Sequence, residues 1–227
     1  MRTLLILAFF LVAAGAKAQD CTPFYSMREG TSASYEYYDA KDKKTSSSSI
    51  LIKEVNKTGE KIEAVVAMTM KDKTNQEMFQ GITRMTCKND TLFMDVGSLL
   101  NPAMAQSAGN MEISMSGDGM TIPGKLAAGM RLPDSHNEFK MGLNGMTIMT
   151  ITIDITEHRV EAEEKVTTPA GTFDCFKVSY LSNSKISLIK ASTKSVQWYA
   201  RGVGVVKTEV YDKKGALESR MLLTAFK

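Results

Sequence analysis

The stretch MTITIDIT, residues 149–156, alternates apolar and polar side chains at every position. Its apolar members would share one face of an extended strand: Met149, Ile151, Ile153 and Ile155. This period of two residues predicts a half-buried β-strand. Beyond the stretch, the apolar positions change from odd to even numbers, at Val160, Ala162 and Val166. We therefore predict a β-bulge or bend between Thr156 and Arg159, because one extra residue restores the inward face.

The same alternation occurs in EAVVAMTM (residues 63–70) and MEISM (residues 111–115). Turn-forming residues separate the strand-like runs at 39–44, 56–59, 71–75, 88–90, 168–171 and 212–215. This spacing predicts an all-β fold, an antiparallel meander that forms a curved sheet or partly open barrel. Two segments interrupt the pattern. Residues 98–109 resemble a short helix, and residues 121–139 read as a Gly- and Pro-rich loop with room for one helical turn. We expect these segments to form a short helical or irregular crossover in the middle.

The first 18 residues, MRTLLILAFFLVAAGAKA, combine a basic start, an apolar run and an Ala-x-Ala end. This pattern predicts a signal peptide over residues 1–18, cleaved before Gln19, followed by a single antiparallel β domain over residues 19–227. The apolar run is shorter than the roughly 20 residues that span a bilayer, so we expect no transmembrane segment. The predicted location is the periplasm, the outer envelope or the outside of the cell, with the chain soluble after cleavage. Lipid attachment at Cys21 is disfavoured because Asp20 stands where a small residue normally precedes the modified cysteine.

The charge of the chain argues against a nucleic-acid partner. The formal net charge is +3, and it falls to +1 when Arg2 and Lys17 leave with the signal peptide. Binding to nucleic acid requires clustered lysine and arginine, whereas the basic residues here are mixed with acids at turn positions.

The three cysteines are Cys21, Cys87 and Cys175. In an oxidising compartment two of them can pair, and the sequence alone leaves all three pairings open. We favour a Cys21–Cys87 disulfide, because it would tie the mature N-terminus to the sheet and contribute about 2–4 kcal/mol. Cys175 would then be a buried thiol.

The sequence offers no catalytic or metal-binding signature, so we expect a protein that is not an enzyme and holds no metal or cofactor. Cys175 lies among apolar residues, and neither His136 nor His158 belongs to a motif that would place a base beside it. Two histidines far apart and three cysteines without the close pairwise spacing of zinc ligands do not match a zinc site. No phosphate-binding or dinucleotide-binding glycine motif is present.

Methionine is unusually frequent: 16 residues, 13 of them between Met68 and Met149. The cluster fits three hypotheses, namely Cu(I) binding, an adaptable apolar concavity for a ligand, and ordinary packing of the core. Five residues are the candidate wall of a ligand-binding face: Met68, Met70, Met111, Ile113 and Met115. On this basis we predict a non-catalytic envelope protein that binds an apolar ligand or lipid on a concave sheet face. The alternative is a structural envelope protein that binds a protein partner.

Three longer stretches resemble a known family: residues 21–40 (CTPFYSMREGTSASYEYYDA), 167–180 (TTPAGTFDCFKVSY) and 198–215 (WYARGVGVVKTEVYDKKG). They are similar to secreted proteins of Bacteroidota grouped with the domain-of-unknown-function family 3108. The resemblance covers most of the mature chain. It implies an exported, mainly antiparallel β domain, either a curved sheet or a partly open barrel, and it implies no established reaction. A kinship with half-barrel envelope proteins that shield lipid is an analogy of fold, which does not transfer function.

Overall fold

The computed structural model describes residues 24–95 and 111–227, and these residues form thirteen β-strands. The predicted signal peptide and residues 98–109 lie outside this range. The strands are β1 (Ser32–Asp39), β2 (Lys44–Thr58), β3 (Lys61–Asp72), β4 (Glu77–Lys88), β5 (Thr91–Asp95), β6 (Met111–Gly117), β7 (Met120–Pro123), β8 (Ser135–Leu143), β9 (Met146–Thr168), β10 (Gly171–Ile186), β11 (Ile189–Ala200), β12 (Gly204–Tyr211) and β13 (Leu217–Phe226). Within the described ranges, no helix is long and apolar enough to cross a membrane.

All thirteen strands join one open antiparallel sheet, in the order β6-β8-β9-β10-β11-β12-β13-β1-β2-β3-β4-β5-β7. The six turn segments predicted from the sequence each connect two strands that are consecutive in the chain and paired in the sheet. The prediction of an all-β antiparallel meander is therefore confirmed.

The irregularity predicted in β9 is present. Arg159 pairs with Ser179 and Thr156 pairs with Leu181, so β9 has one more residue than β10 in this interval. Glu157 in the bulge adopts a positive φ of 54°. The buried side chains change from the odd-numbered Ile155 to the even-numbered His158. The bulge thus keeps both halves of this 23-residue strand turned toward the core, as the change in apolar phase predicted.

The two edge strands meet at one corner of the sheet, because only Asp118 and Gly119 separate β6 from β7. Three residue steps span at most about 11 Å. The Asp118 backbone N–H donates to the His136 carbonyl of β8, and the His136 N–H donates to the Asp118 carboxylate, each at 2.9 Å. Gly117, with φ of 138°, allows this approach, because a Cβ there would lie 2.3 Å from the His136 oxygen. The sheet therefore curls until its edges meet at this corner.

The curled sheet encloses a buried cluster to which both halves of the sheet contribute. The Tyr199 hydroxyl of β11 donates to Gln197 Oε1 at 2.6 Å, and its oxygen lies 3.6 Å from Met120 Sδ of the edge strand β7. Phe24 belongs to this buried cluster, and its ring meets those of Phe176 and Tyr199 edge-on at centroid distances of 5.8 and 6.2 Å. The segment before β1 therefore contributes to the enclosed core.

Residues 124–134, between β7 and β8, are irregular, as predicted, but the predicted loop over 121–139 is wrong at both ends, where residues 121–123 belong to β7 and residues 135–139 to β8. The helical turn for which this region had room is not formed, because the backbone bonds to the bulged part of β9 instead. The Gly129 N–H donates to the Val160 carbonyl at 2.9 Å, and the Leu132 N–H donates to the His158 carbonyl at 2.8 Å. In a helix, these backbone N–H groups would instead donate to carbonyls four residues earlier in the chain.

Candidate functional site

The five candidate wall residues lie on two strands that do not pair with each other. Met68 and Met70 are half-buried on β3, which pairs with β2 and β4. Met111, Ile113 and Met115 lie on the edge strand β6, which pairs with β8, and their side chains are outside the described part of the structure. A shared ligand-binding wall of these five residues stays a prediction.

Three other methionines do converge. Met85, Met94 and Met120 are direct cross-strand neighbours on β4, β5 and β7. They pack in or against the enclosed cluster, where Met120 meets Tyr199. The nearby cavity beside Met85 and Val66 has a volume of about 10 Å³, which is about the space for one water molecule. These three methionines therefore help to fill the core beside this cavity, which is too small for a lipid chain.

The cysteines have different environments. Cys87 is completely buried and is disulfide-bonded. Cys175 is a buried free thiol that donates to the Phe173 carbonyl at 3.5 Å. Burial, reinforced by the nearby carboxylates of Asp174 and Glu164, raises the pKa of the Cys175 thiol to about 11. Cys21, the predicted partner of Cys87, lies outside the described residues, so that pairing stays a prediction.

The two histidines make their contacts away from Cys175. His136 bonds to Asp154 on the surface of the β8–β9 pair, Nδ1 to Oδ1 at 2.6 Å, and this bond raises the pKa of His136. His158 is buried against Tyr180, with Nδ1 placed to donate to the Pro133 carbonyl at 3.1 Å. Burial lowers the pKa of His158. No cysteine–histidine pair arises from these contacts, and the described residues contain no cluster that could hold a metal ion.

A surface groove of about 480 Å³ crosses β9 to β12, and we call it the Trp198 groove. Its apolar lining residues are Leu181, Val196 and Trp198. Six charged side chains also line it: Glu161, Lys177, Lys194, Glu209, Asp212 and Lys213. The groove thus has an apolar floor and a charged rim, with three cations and three anions, and it has no strong preference for a ligand of either net charge.

Trp198 is held rigidly in the floor of the groove. Strand register places Lys177 of β10 and Lys207 of β12 directly beside it, one on each side. Their ammonium groups lie 5.5 and 4.5 Å from the centre of the indole ring, within the range of cation–π attraction. The indole N–H donates to Glu164 Oε1 at 2.6 Å. With 4% of its surface exposed, Trp198 is a fixed packing element that presents only a narrow edge to the groove.

Two acids of the rim, Glu161 and Glu209, are held in their ionised form. Glu161 Oε1 accepts from the Ser179 hydroxyl at 2.6 Å and lies 3.5 Å from Lys194 Nζ. These interactions, the hydroxyl bond first, lower the pKa of Glu161. Burial raises the pKa of Glu209, but hydrogen bonds from Lys207 and from the Tyr211 hydroxyl outweigh it and lower the pKa overall. Both carboxylates therefore already have hydrogen-bond and ion-pair partners within the protein when no ligand is bound.

This groove was not predicted from the sequence. Four strands contribute its lining, and the register between strands cannot be read from any short stretch of sequence. The one available signal is the single tryptophan of the chain, flanked on neighbouring strands by lysines.

The groove falls within the part of the chain that matches a known family. The DUF3108-like family model matches residues 28–223. The chain belongs to the DUF3108-like family. The resemblance seen in the sequence is thereby confirmed. None of the curated proteins matches the chain.

Two solved structures share the fold of this DUF3108-like chain. One is a protein of Bacteroides fragilis described as exported and as having a YmcC-like fold, with a TM-score of 0.74 and 24% identity over 91% of this chain and 100% of that chain. The other is a protein of Parabacteroides distasonis described as a lipoprotein, with a TM-score of 0.74 and 26% identity over 92% of this chain and 100% of that chain. They support the open, curled sheet as the fold of this chain, and they assign no ligand or reaction to it.

Proposed function

We propose that this protein is an exported, non-catalytic binding protein of the cell envelope, and that it holds a small amphipathic molecule in the Trp198 groove. Export is supported by the signal-like residues 1–18 and by the descriptions of the two related structures. The ligand would place an apolar part on Leu181 and Val196 and a polar or zwitterionic part along the rim.

The observation that carries this proposal is the combination of an apolar floor and a balanced charged rim in a groove of about 480 Å³. Sites for small molecules typically occupy roughly 300–1,000 Å³ and combine apolar walls with a few polar groups. The cavity beside Met85 has a volume of only about 10 Å³, which is too small for such a ligand.

The chemistry of the groove supports binding without catalysis. A general acid or base works best with a pKa near the operating pH. The pKa values of Glu161 and Glu209 are instead lowered below the ordinary range of a glutamate. The groove is lined by neither a histidine nor a cysteine among the described residues. We therefore assign the rim charges to orientation of the ligand.

The fluorescence of Trp198 tests this proposal, because no other tryptophan contributes to the signal. The probe is the methanol-soluble fraction of the producing cell envelope, added to protein purified under denaturing conditions and refolded. We expect this fraction to change the emission of the wild-type protein. Ser192→Phe should abolish the change, because Ser192 is an exposed residue of β11 that lines the groove. Ser49→Phe is the matched control, at an exposed serine of β2 outside the groove. An equal response of both variants, or no response of the wild-type protein, would contradict the proposal.

A further inference from the structure

Two neighbouring hairpins end in exposed apolar side chains. Leu143, Met146 and Ile148 lie at the end of the β8–β9 hairpin, and Ile186, Leu188 and Ile189 lie at the end of the β10–β11 hairpin. We call these six residues the apolar tip patch. The exposed fraction of the residue is 94% for Leu188 and 70% for Met146. The six residues of the patch are among the ten large apolar residues that are exposed in the described part of the chain.

The two hairpins are neighbours in the sheet, and the β8–β9 hairpin projects five residues, Met146–Thr150, beyond the end of β10. Ile186 of β10 pairs directly with Ile151 of β9, and the Ser187 N–H is 3.5 Å from the Thr150 carbonyl. A shallow groove of about 280 Å³ lies along β9 between Ile148 and Ser187. Both ends are tight turns on paired strands, so the apolar side chains are displayed on a stiff framework.

Two lysines stand directly behind the apolar tip. Lys185 and Lys190 are exposed and are opposite each other in the β10–β11 pair. Like charges at directly opposed positions destabilise a hairpin. Neither lysine forms an ion pair with another described residue. Their positions therefore match an anionic surface that approaches the tip from outside.

We propose that the apolar tip patch inserts into the interface of an anionic lipid bilayer, with Lys185 and Lys190 on the headgroup phosphates. Apolar side chains that protrude ahead of lysines suit this geometry, because the former reach the acyl boundary while the latter stay at the headgroups. A protein partner is a poorer match, since a stable interface usually takes roughly 20–30 residues from each side. This role does not depend on a ligand in the Trp198 groove.

Flotation of the intact protein with vesicles tests the proposal. The vesicles are phosphatidylcholine, with or without phosphatidylglycerol. We expect binding only to the phosphatidylglycerol vesicles, with an affinity that falls as salt is raised. The double variant Leu188→Ser and Ile189→Ser should weaken the affinity for the vesicles. We expect a loss of at least about tenfold for each of the two apolar side chains that moves from water into the bilayer. Its control is Met78→Ser with Ile82→Ser, which removes two exposed apolar side chains from β4 (64% and 49% exposed) and should not alter binding.

The charge contribution is measured separately. Lys185→Gln and Lys190→Gln should each weaken binding about fivefold. Lys41→Gln with Lys43→Gln, in the exposed β1–β2 turn, is the control and should leave the affinity unchanged. Binding that ignores phosphatidylglycerol or the tip substitutions would overturn the proposal, as would the absence of binding. A dimer that dissociates only when Leu188 and Ile189 are replaced would show that a second copy covers the patch, and would also overturn it.

Discussion

Phe24 is buried against strands β10 and β11, and its replacement by alanine should lower the stability of the fold strongly. Only 1% of its surface is exposed. The ring meets Phe176 at an interplanar angle of 84° and Tyr199 at 79°, both edge-on arrangements that aromatic pairs prefer. The guanidinium carbon of Arg201 lies 5.3 Å from the centre of the same ring. Phe24→Ala would remove all of these contacts at once.

The expected loss follows from this burial. Truncation of a buried phenylalanine to alanine typically lowers the free energy of unfolding by about 3–5 kcal/mol. We expect a loss of about 4 kcal/mol, near the middle of that range, because the aromatic contacts are good and the rigid sheet limits collapse around the cavity. For a domain of this size, that loss lowers Tm by roughly 8–16 °C.

Urea unfolding, followed by Trp198 fluorescence and by far-ultraviolet circular dichroism, measures the effect. The midpoint should fall while the slope m stays constant, since the surface exposed on unfolding hardly changes. Phe93→Ala is the control, because 42% of Phe93 is exposed, and it should cost less than about half as much. A loss below about 1 kcal/mol for Phe24→Ala would refute the placement of Phe24 in the core.

Three further predictions follow from buried or constrained residues. Gly204 has φ of 99°, and a Cβ there would lie 2.4 Å from the Tyr25 ring, so Gly204→Ala should cost about 2–4 kcal/mol in urea unfolding. At Gly202 φ is also positive but the space is open, so Gly202→Ala should cost only about 1–2 kcal/mol; equal losses would contradict the steric argument. The thiol pKa of about 11 lowers the thiolate fraction of Cys175 about a hundredfold, so alkylation by iodoacetamide at neutral pH, followed by peptide mass spectrometry, should be slow until the protein unfolds; rapid labelling of the folded protein would disprove this. Because burial lowers the pKa of His158, the unfolded chain binds its proton more tightly, and the free energy of unfolding should decrease as pH falls below about 6.5. Urea unfolding at a series of pH values should show a shallower decrease for His158→Gln, and an unchanged decrease would assign the effect to other groups.

The sequence predicted the local features of the fold well. The bulge in β9 followed from the shift between Ile155 and Val160, since burial on one face imposes a strict period of two. The turns were visible because glycine, proline, asparagine and aspartate have specific backbone preferences. The sheet order was not visible. Nothing near Gly117 indicates that β6 and β7 lie at opposite ends of the sheet order, because pairing between distant strands depends on the whole fold.

The candidate site was harder to predict for the same reason. Only 4% of Trp198 is exposed, so the residue packs in the core. The groove above it depends on Glu161, Lys194 and Glu209, which three different strands contribute. The hypothesis of a methionine-lined ligand face pointed to the interior of the sheet. The described methionines that converge there pack the core instead, and the five candidate wall residues stay a prediction. A local pattern can identify which face of a strand is apolar, but it does not show whether the space next to that face is empty.

A ligand in the Trp198 groove should be detected by native mass spectrometry of the protein isolated from its own cell envelope, compared with its denatured mass. We expect a native mass that exceeds the denatured mass by one small molecule, in the wild-type protein and in Ser49→Phe but not in Ser192→Phe. Equal native and denatured masses of the wild-type protein, or a molecule retained by Ser192→Phe, would contradict it.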